Sequence, residues 1–520
     1  VGDVMLAASG LAVPVAAAPL KPVAPGWFQD AKDNPAIPPV GSVVEAFLHQ
    51  VARNPNHVVL ADQTAGTRTL RGIATAAAVL KKHIAPLAGD RVGILLPASV
   101  GADIVYIATL LAGKTPVMVN WTVGPRNVLH GLDLAGVKHV LTSRLLVERL
   151  SQRGADFSGI ADRLVHLEDV RGRITLGQKL SAALAARFAP RSLAPKTIPG
   201  TIAILFTSGS ESLPKAVPLT STNVLTNLRD VLARIELRRT DRLIGFLPPF
   251  HSFGLSTGML VPLCMNLPVV HHTDPTQGPV LARLIEAYKV TVVLGTPTFL
   301  AGILRAAAPG QLASLRLAVT GAEKCPPPVY AAFAAACPTA RVVEGYGITE
   351  CSPIVSFSDY DHPQPGTIGK PLPSIEHALV HPETNRRVGP GVPGVLLVRG
   401  LSIFPGYLGD APSPFVEFEG KSWYRTGDLV VSDSAGCLTF TGRLKRFIKL
   451  GGEMISLPAI ESVLSSLHSR DLDPESGPVL AVEATATDPP EIVLFTTLPL
   501  SRPDINDALR SAGLSGLHSI

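Results

Sequence analysis

From Val43 to Val51 the apolar positions Val44, Phe47, Leu48 and Val51 recur at the spacing of one helix face. Arg91–Pro97 (RVGILLP) has a different pattern, a short unbroken apolar run closed by proline, as in a strand buried on both faces. A helix follows over GADIVYIATLLAG, then a strand at Thr115–Asn120, and Lys138–Ser143 and Arg163–Glu168 repeat the short apolar run. The same texture returns after residue 200. Thr201–Thr207 (TIAILFT) predicts a strand and STNVLTNLRDVLARI a helix; RLIGFLP, VTVVLGTP and LRLAVTG predict strands, and a further helix starts near Pro328. Strands alternating with helices in this way predict an α/β sheet covered on both faces.

From about residue 365 the pattern becomes β-rich, in HALVHPETNRRVGPGVPGVLLVRG and CLTFTGRLKRFIKLGG, with glycine turns and no long helix between them. A helix-like LPAIESVLSSL and a strand-like PEIVLFTTL close the chain. The expected organisation is a linker or N-terminal extension over 1–38, a large domain over 39–444 and a small α+β domain over 445–520. Composition adds bounds. With 520 residues, 46% of them hydrophobic, the chain can bury more than one core and is not disordered overall. The net charge of +5 is small for this length. It mildly favours anionic partners without specifying nucleic acid, which would also want interleaved stacking aromatics, and Phe, Tyr and Trp make up only 5%. The five cysteines are odd in number and lack C-x-x-C spacing, so the expectation is a reducing compartment and no structural zinc. Leu6–Leu20 is apolar but lacks a basic leader, contains two prolines and is too short to span a bilayer, so peripheral membrane contact stays open.

Several short stretches carry chemistry. Thr207, Ser208, Gly209 and Ser210, followed by Lys215, offer the hydroxyls, the close backbone approach and the cation that phosphate oxygens need, at the carboxyl end of a strand. This is not a Walker A loop, because Lys215 is followed by Ala216, and an ordinary polar turn would look similar. In GYGITECSP, Tyr346 beside Gly347 suits stacking on a base, and Thr349 and Glu350 suit phosphate and Mg²⁺; a tight turn with a structural tyrosine is the alternative. Asp428 in WYRTGDL could accept both hydroxyls of a ribose, or belong to a hairpin turn. Arg443, Lys445, Arg446 and Lys449 form a dense basic run. His251 in PPFHSFG has no second ligand at metal spacing and reads as a packed or gating residue.

In their order and separations, LFTSGSESLPKA, PPFHSFG, EGYGITECSP, WYRTGDL and GRLKRFIKLGGE resemble the core motifs of the adenylate-forming family, which includes acyl-CoA synthetases, luciferases and peptide-synthetase adenylation domains. The resemblance covers roughly residues 40–510. The variants LFTSGSE, FHSFGLS, GTPTFL, GAEK and LGGEMIS look more specifically like the acyl-[acyl-carrier-protein] synthetase portion of bacterial enzymes that reacylate lysophosphatidylethanolamine. The resemblance implies a large α/β region with a β-rich part, followed by a small α+β domain that rotates and that reads as cut short at Ile520. It implies that Thr207, Ser208, Gly209, Ser210 and Lys215 embrace the ATP phosphates. Tyr346 and Gly347 would flank adenine, with Gly321, Ala322 and Glu323 lining the nucleotide side. Thr349 would touch the α-phosphate, Glu350 would hold Mg²⁺, Asp428 would bind ribose with Arg443 alongside, and Lys445 would be the hinge. His251 and Phe253 would border the acyl pocket.

The implied reaction joins a long-chain fatty acid to AMP with loss of pyrophosphate, then passes the acyl group to the thiol of acyl-carrier protein, an acidic partner that the 443–449 cations would suit. Transfer to coenzyme A is the alternative, and an acyl-adenylate-binding module without catalysis is another. The expected setting is the cytoplasm, with the inner face of a membrane as the alternative through the peripheral contact left open above. Two features depart from type. Ser212 and Ala216 stand where the family usually has glycine, and the family's adenylation lysine would fall well beyond Ile520. The expectation is that the sequence stops short of that lysine.

Overall fold

A computed structural model describes residues 19–207, 213–450, 453–467, 479–485, 490–512 and 520. Two compact units emerge. Of the described residues, one is formed by 19–376 together with Arg399–Pro414, the other by His377–Val398 together with those from Phe415 onward.

The larger unit holds two sheets. In the six-stranded sheet the order is Leu164–His166, Val140–Thr142, Arg91–Ile94, Thr115–Met118, Thr201–Thr207 and Lys215–Thr220. All neighbours are parallel except the last pair, which is an antiparallel hairpin. The nine-stranded sheet has a parallel centre running Arg341–Gly347, Leu317–Gly321, Val292–Gly295, Leu243–Gly245, Val269–His271 and Val58–Asp62, with antiparallel strands at both edges. The predicted α/β class is therefore observed. The apolar runs are strands because helices cover them: Val100–Leu111 touches strands of both sheets and is buried along most of its length. That helix brings a charge inside. Asp103 Oδ2 lies 2.8 Å from His271 Nε2, and both side chains are almost wholly buried. Hydroxyl N-caps start many of the helices, with Ser42 accepting from Glu45 N, Ser99 from Ala102 N and Thr220 from Asn223 N.

The other unit contains a five-stranded sheet, Glu376–Val380, Gly394–Arg399, Lys421–Ser432 and Phe415–Phe418 in order, with Leu438–Arg443 paired to Lys421–Ser432, which is antiparallel to each of its three partners. The C-terminal α+β part of the same unit consists of the hairpin Phe447–Leu450/Glu453–Ser456, the helix Leu457–Leu467, the hairpin Leu480–Ala484/Ile492–Thr496 and the helix Arg502–Ser511. Its core collects Ile455, Ile460, Leu464, Val482, Ile505 and Leu509. Arg446 ties this part together, donating to Glu461 Oε1 at 2.8 Å and to the Val482 carbonyl at 2.7 Å.

Candidate active site

The hairpin Thr201–Thr207/Lys215–Thr220 sets Thr207 directly opposite Lys215, so both stand at the carboxyl end of a strand next to the parallel part of the sheet. Ser208, Gly209 and Ser210, which complete the expected phosphate loop, lie outside the described residues. The Lys215 ammonium sits 4.7 Å from the centre of the Tyr407 ring, within cation–π range. The Tyr407 hydroxyl in turn donates to Glu350 Oε1 at 2.7 Å.

Tyr407 reaches this position because residues 401–408 are fastened to the larger unit by backbone. Asn223 Nδ2 donates to the carbonyls of Leu401 and Ile403 at 2.8 Å each. Phe404 N donates to the Glu350 carbonyl at 2.8 Å, and Leu408 N to that of Ala216 at 3.0 Å. The Phe404 ring meets the Tyr407 ring edge-on at 4.9 Å. Glu350 is thus a buried carboxylate, 6% exposed, held from both main chain and side chain.

Thr349 opens the one-turn 3-10 segment Thr349–Cys351, and its hydroxyl lies 3.3 Å from that of Ser252. Ser252 follows His251, whose ring packs on Phe250 at 4.7 Å while Phe250 meets Trp121 at 4.6 Å. Burial lowers the His251 pKa from its ordinary 6.5 to about 4, so the imidazole is neutral near pH 7. Phe253 faces an apolar cavity that Leu228, Val231, Val261, Leu294 and Val319 also line.

Tyr346 and Gly347 end the strand Arg341–Gly347, and Gly321 ends its parallel neighbour, in register with Gly345. A Cβ on Gly321 would come within 2.6 Å of the Gly345 carbonyl oxygen, and one on Gly347 would collide with that of Pro353. Both glycines are needed for backbone to pass this closely. Ala322 follows with a left-handed φ of 67°, and exposed Glu323 accepts from the Thr298 hydroxyl at 2.7 Å.

The larger unit therefore brings together Thr207, Lys215, Glu350 and Thr349, and the same sheet ends in Gly321 and Tyr346–Gly347. Asp428 and Arg443 belong to the other unit. There they are register partners on adjacent strands, and Arg443 Nε donates to Asp428 Oδ1 at 3.1 Å. Asp428 is 2% exposed, and its own N–H donates to the Thr426 hydroxyl. Lys445 falls in the short 3-10 segment Leu444–Arg446 that follows; its side chain and that of Lys449 lie outside the described residues. Arg443 and Arg446 are both engaged within their own unit, by Asp428 and Glu461.

Among the described residues no group of three or more His, Cys, Asp or Glu side chains is arranged to hold a metal ion. One buried carboxylate, Glu350, still fits Mg²⁺, which keeps waters and takes other ligands from substrate phosphates. All five cysteines are free thiols.

The AMP-binding enzyme family model matches residues 47–408, well over half the chain, and stops one residue past Tyr407. The chain belongs to this family. Among curated relatives, the long-chain-fatty-acid–CoA ligase of Escherichia coli O157:H7 is 28% identical over 457 residues, covering 81% of this chain and 80% of its own length. The 4-coumarate–CoA ligase-like 3 of Oryza sativa subsp. japonica is 29% identical over 462 residues, covering 82% and 77%. Among solved structures, the Bacillus subtilis o-succinylbenzoate coenzyme A synthetase bound to AMP aligns with a TM-score of 0.73 at 22% identity, covering 91% of this chain and 93% of its own. At that identity it is the fold that is shared.

These AMP-binding relatives are coenzyme A ligases by name, and this overturns acyl-carrier protein as the expected acceptor. The more specific resemblance to acyl-carrier-protein synthetases was carried by stretches of only four to seven residues, too short to separate members that share the whole scaffold. The basic run expected to dock the carrier is also partly spent on internal pairs. Sequence reasoning missed Tyr407 and Ser252. Tyr407 stands in PGYLGD, 57 residues from the carboxylate it binds, and no spacing rule connects the two. Ser252 lay inside a quoted motif, beside the histidine that drew attention away from it.

Proposed function

We propose that this AMP-binding enzyme activates an apolar carboxylic acid, a long-chain fatty acid, with ATP to form an acyl-adenylate and pyrophosphate, and then transfers the acyl group to the thiol of coenzyme A. The observation that carries the reading is the Lys215–Tyr407–Glu350 chain beside Thr349, within the region that matches the family. A carboxylate is a poor acylating agent because its leaving group would be oxide-like. Attack of one carboxylate oxygen on the α-phosphorus forms the acyl–phosphate bond, breaks the bond to pyrophosphate and leaves AMP as a competent leaving group. The thiolate sulfur then bonds to the acyl carbon, and AMP departs with the electron pair.

In this reading the protein contributes positioning and charge. Lys215 and Thr207, with Ser208, Gly209 and Ser210, hold the β- and γ-phosphates, and Thr349 is directed at the α-phosphate by its contact with Ser252. Glu350 would hold Mg²⁺, which neutralises phosphate charge when bound. Tyr346 stacks on adenine where Gly321 and Gly347 let backbone close in, and Ala322 and Glu323 edge that side. Asp428 accepts the ribose hydroxyls with Arg443 beside it, and Lys445 serves as the hinge for the C-terminal part. His251, kept neutral by burial, can face an uncharged acyl group without adding a cation.

The names of the long-chain relatives support a fatty acid. Each CH₂ buried in an apolar acyl pocket is worth about 0.8 kcal/mol, so such a pocket selects for chain length. The test is ATP–pyrophosphate exchange by the full-length protein with acids of graded length, followed by AMP release with coenzyme A or carrier protein as acceptor. Exchange that rises with chain length, and AMP release with coenzyme A, are expected. Failure of every fatty acid to support exchange would refute the reading.

A further inference from the structure

The helix Leu176–Phe188 of the larger unit is built inside out. Ala182 and Ala186 are buried, on the face that packs against the helix Leu70–Ile84. Leu176, Leu180, Leu184 and Phe188 are 72%, 57%, 58% and 72% exposed. At about 100° per residue these four make one stripe, centred roughly opposite the alanines. Over the twelve steps from Leu176 to Phe188 the stripe runs about 18 Å. An ordinary surface helix turns its large apolar side chains inward and leaves small or polar ones outside. Among the described residues no neighbouring element covers the leucines.

Along the chain from Val170 to Thr207 the charge is one-sided. Arg171, Arg173, Lys179, Arg187, Arg191 and Lys196 are all exposed, and no Asp or Glu occurs between Val170 and Thr207. Lys179 and Arg187 are on the helix itself, Arg187 with its guanidinium 5.3 Å from the Phe188 ring centre, and the other four cations flank its two ends.

We propose that this helix seats the protein on a bilayer of anionic phospholipid, lying in the plane of the surface with its leucine stripe among the upper acyl chains and its cations at the headgroup phosphates. An amphipathic segment with a continuous apolar face and Lys or Arg beside it has the chemistry that binds such a surface. A second copy of the chain suits the stripe less well, because pairing would bring the two sets of cations together. Among the described residues no helix is long and apolar enough to cross a membrane. The inference does not depend on the reading of the nucleotide site.

Co-sedimentation of the full-length protein with vesicles tests it, using phosphatidylcholine alone or mixed equally with phosphatidylglycerol. Binding should be at least about tenfold stronger to the anionic vesicles and should weaken as salt is raised. The double variant Leu180→Ser/Leu184→Ser should lose about tenfold or more of that binding. Its melting temperature should change little, since both side chains are already more than half exposed. Three results would overturn the proposal: no binding of the unmodified protein to anionic vesicles, equal binding by the double variant, or self-association in sedimentation equilibrium that the variant abolishes while neither form binds vesicles.

Discussion

Tyr407 does two things that can be separated by one atom. Its ring faces the Lys215 ammonium and its hydroxyl restrains Glu350. Tyr407→Phe keeps the first and removes the second. A hydrogen bond to a charged group is worth about 1.5–3 kcal/mol, so kcat/KM for ATP should fall roughly tenfold or more, with a raised Mg²⁺ requirement. Unchanged Mg²⁺ dependence in steady-state assays would mean that the hydroxyl has no part in placing the carboxylate. His251 supplies a pH prediction at the same scale. Its pKa is depressed from 6.5 to about 4 in the folded protein, so its contribution to stability is present above pH 6.5 and is lost as pH falls toward 4. The His251 ring resonance, assigned by its disappearance in His251→Gln, should not titrate between about pH 5.5 and 7.5. Lys215 and the Thr349–Glu350 pair were each legible in the sequence as candidates for phosphate and Mg²⁺, because residue types and spacing within each short stretch suit those ligands, and the order of the motifs along the chain joined them. Tyr407 was not, because its meaning comes from two contacts across the fold.

Strands stood out in the sequence where they were buried on both faces, as at Arg91–Ile94, Thr201–Thr207 and Leu317–Gly321, because unbroken apolar runs have few other uses. The strands Val58–Asp62 and Val269–His271 escaped notice, and each ends in a polar residue whose burial only a partner explains. For His271 that partner is Asp103, on a helix 168 residues earlier in the chain. Truncation by Asp103→Ala should cost about 3–5 kcal/mol, since it leaves a buried imidazole without its carboxylate, and denaturant unfolding measures this. Arg446 plays a smaller version of the same part. It had been read as one cation of a docking patch, yet it joins the helix Leu457–Leu467 to the strand Leu480–Ala484 through Glu461 and the Val482 carbonyl. Arg446→Ala should cost about 1–3 kcal/mol, and amide exchange across Leu480–Ala484 should speed up while the larger unit is unaffected.

For the molecule as a whole, the candidate site residues fall in two compact units: Lys215, Tyr407 and Glu350 in one, Asp428 and Arg443 in the other. A nucleotide that binds the native state stabilises it by mass action, and at a hundredfold excess over Kd the gain is about 2.7 kcal/mol. MgATP should therefore raise the melting temperature of the full-length protein, and Lys215→Ala should reduce that shift at equal nucleotide concentration. An equal shift in the variant would remove Lys215 from the nucleotide site. The sequence by itself determined the α/β class, the β-rich change of texture and the ordered motifs, because hydrophobic period and short-range spacing are properties of the chain before it folds. Only the tertiary structure decided that residues 401–408 return to the larger unit with Tyr407, that Arg446 is an internal tie, and that the leucines of Leu176–Phe188 face outward. Each of these depends on which surface lies against which, and a linear pattern does not encode that.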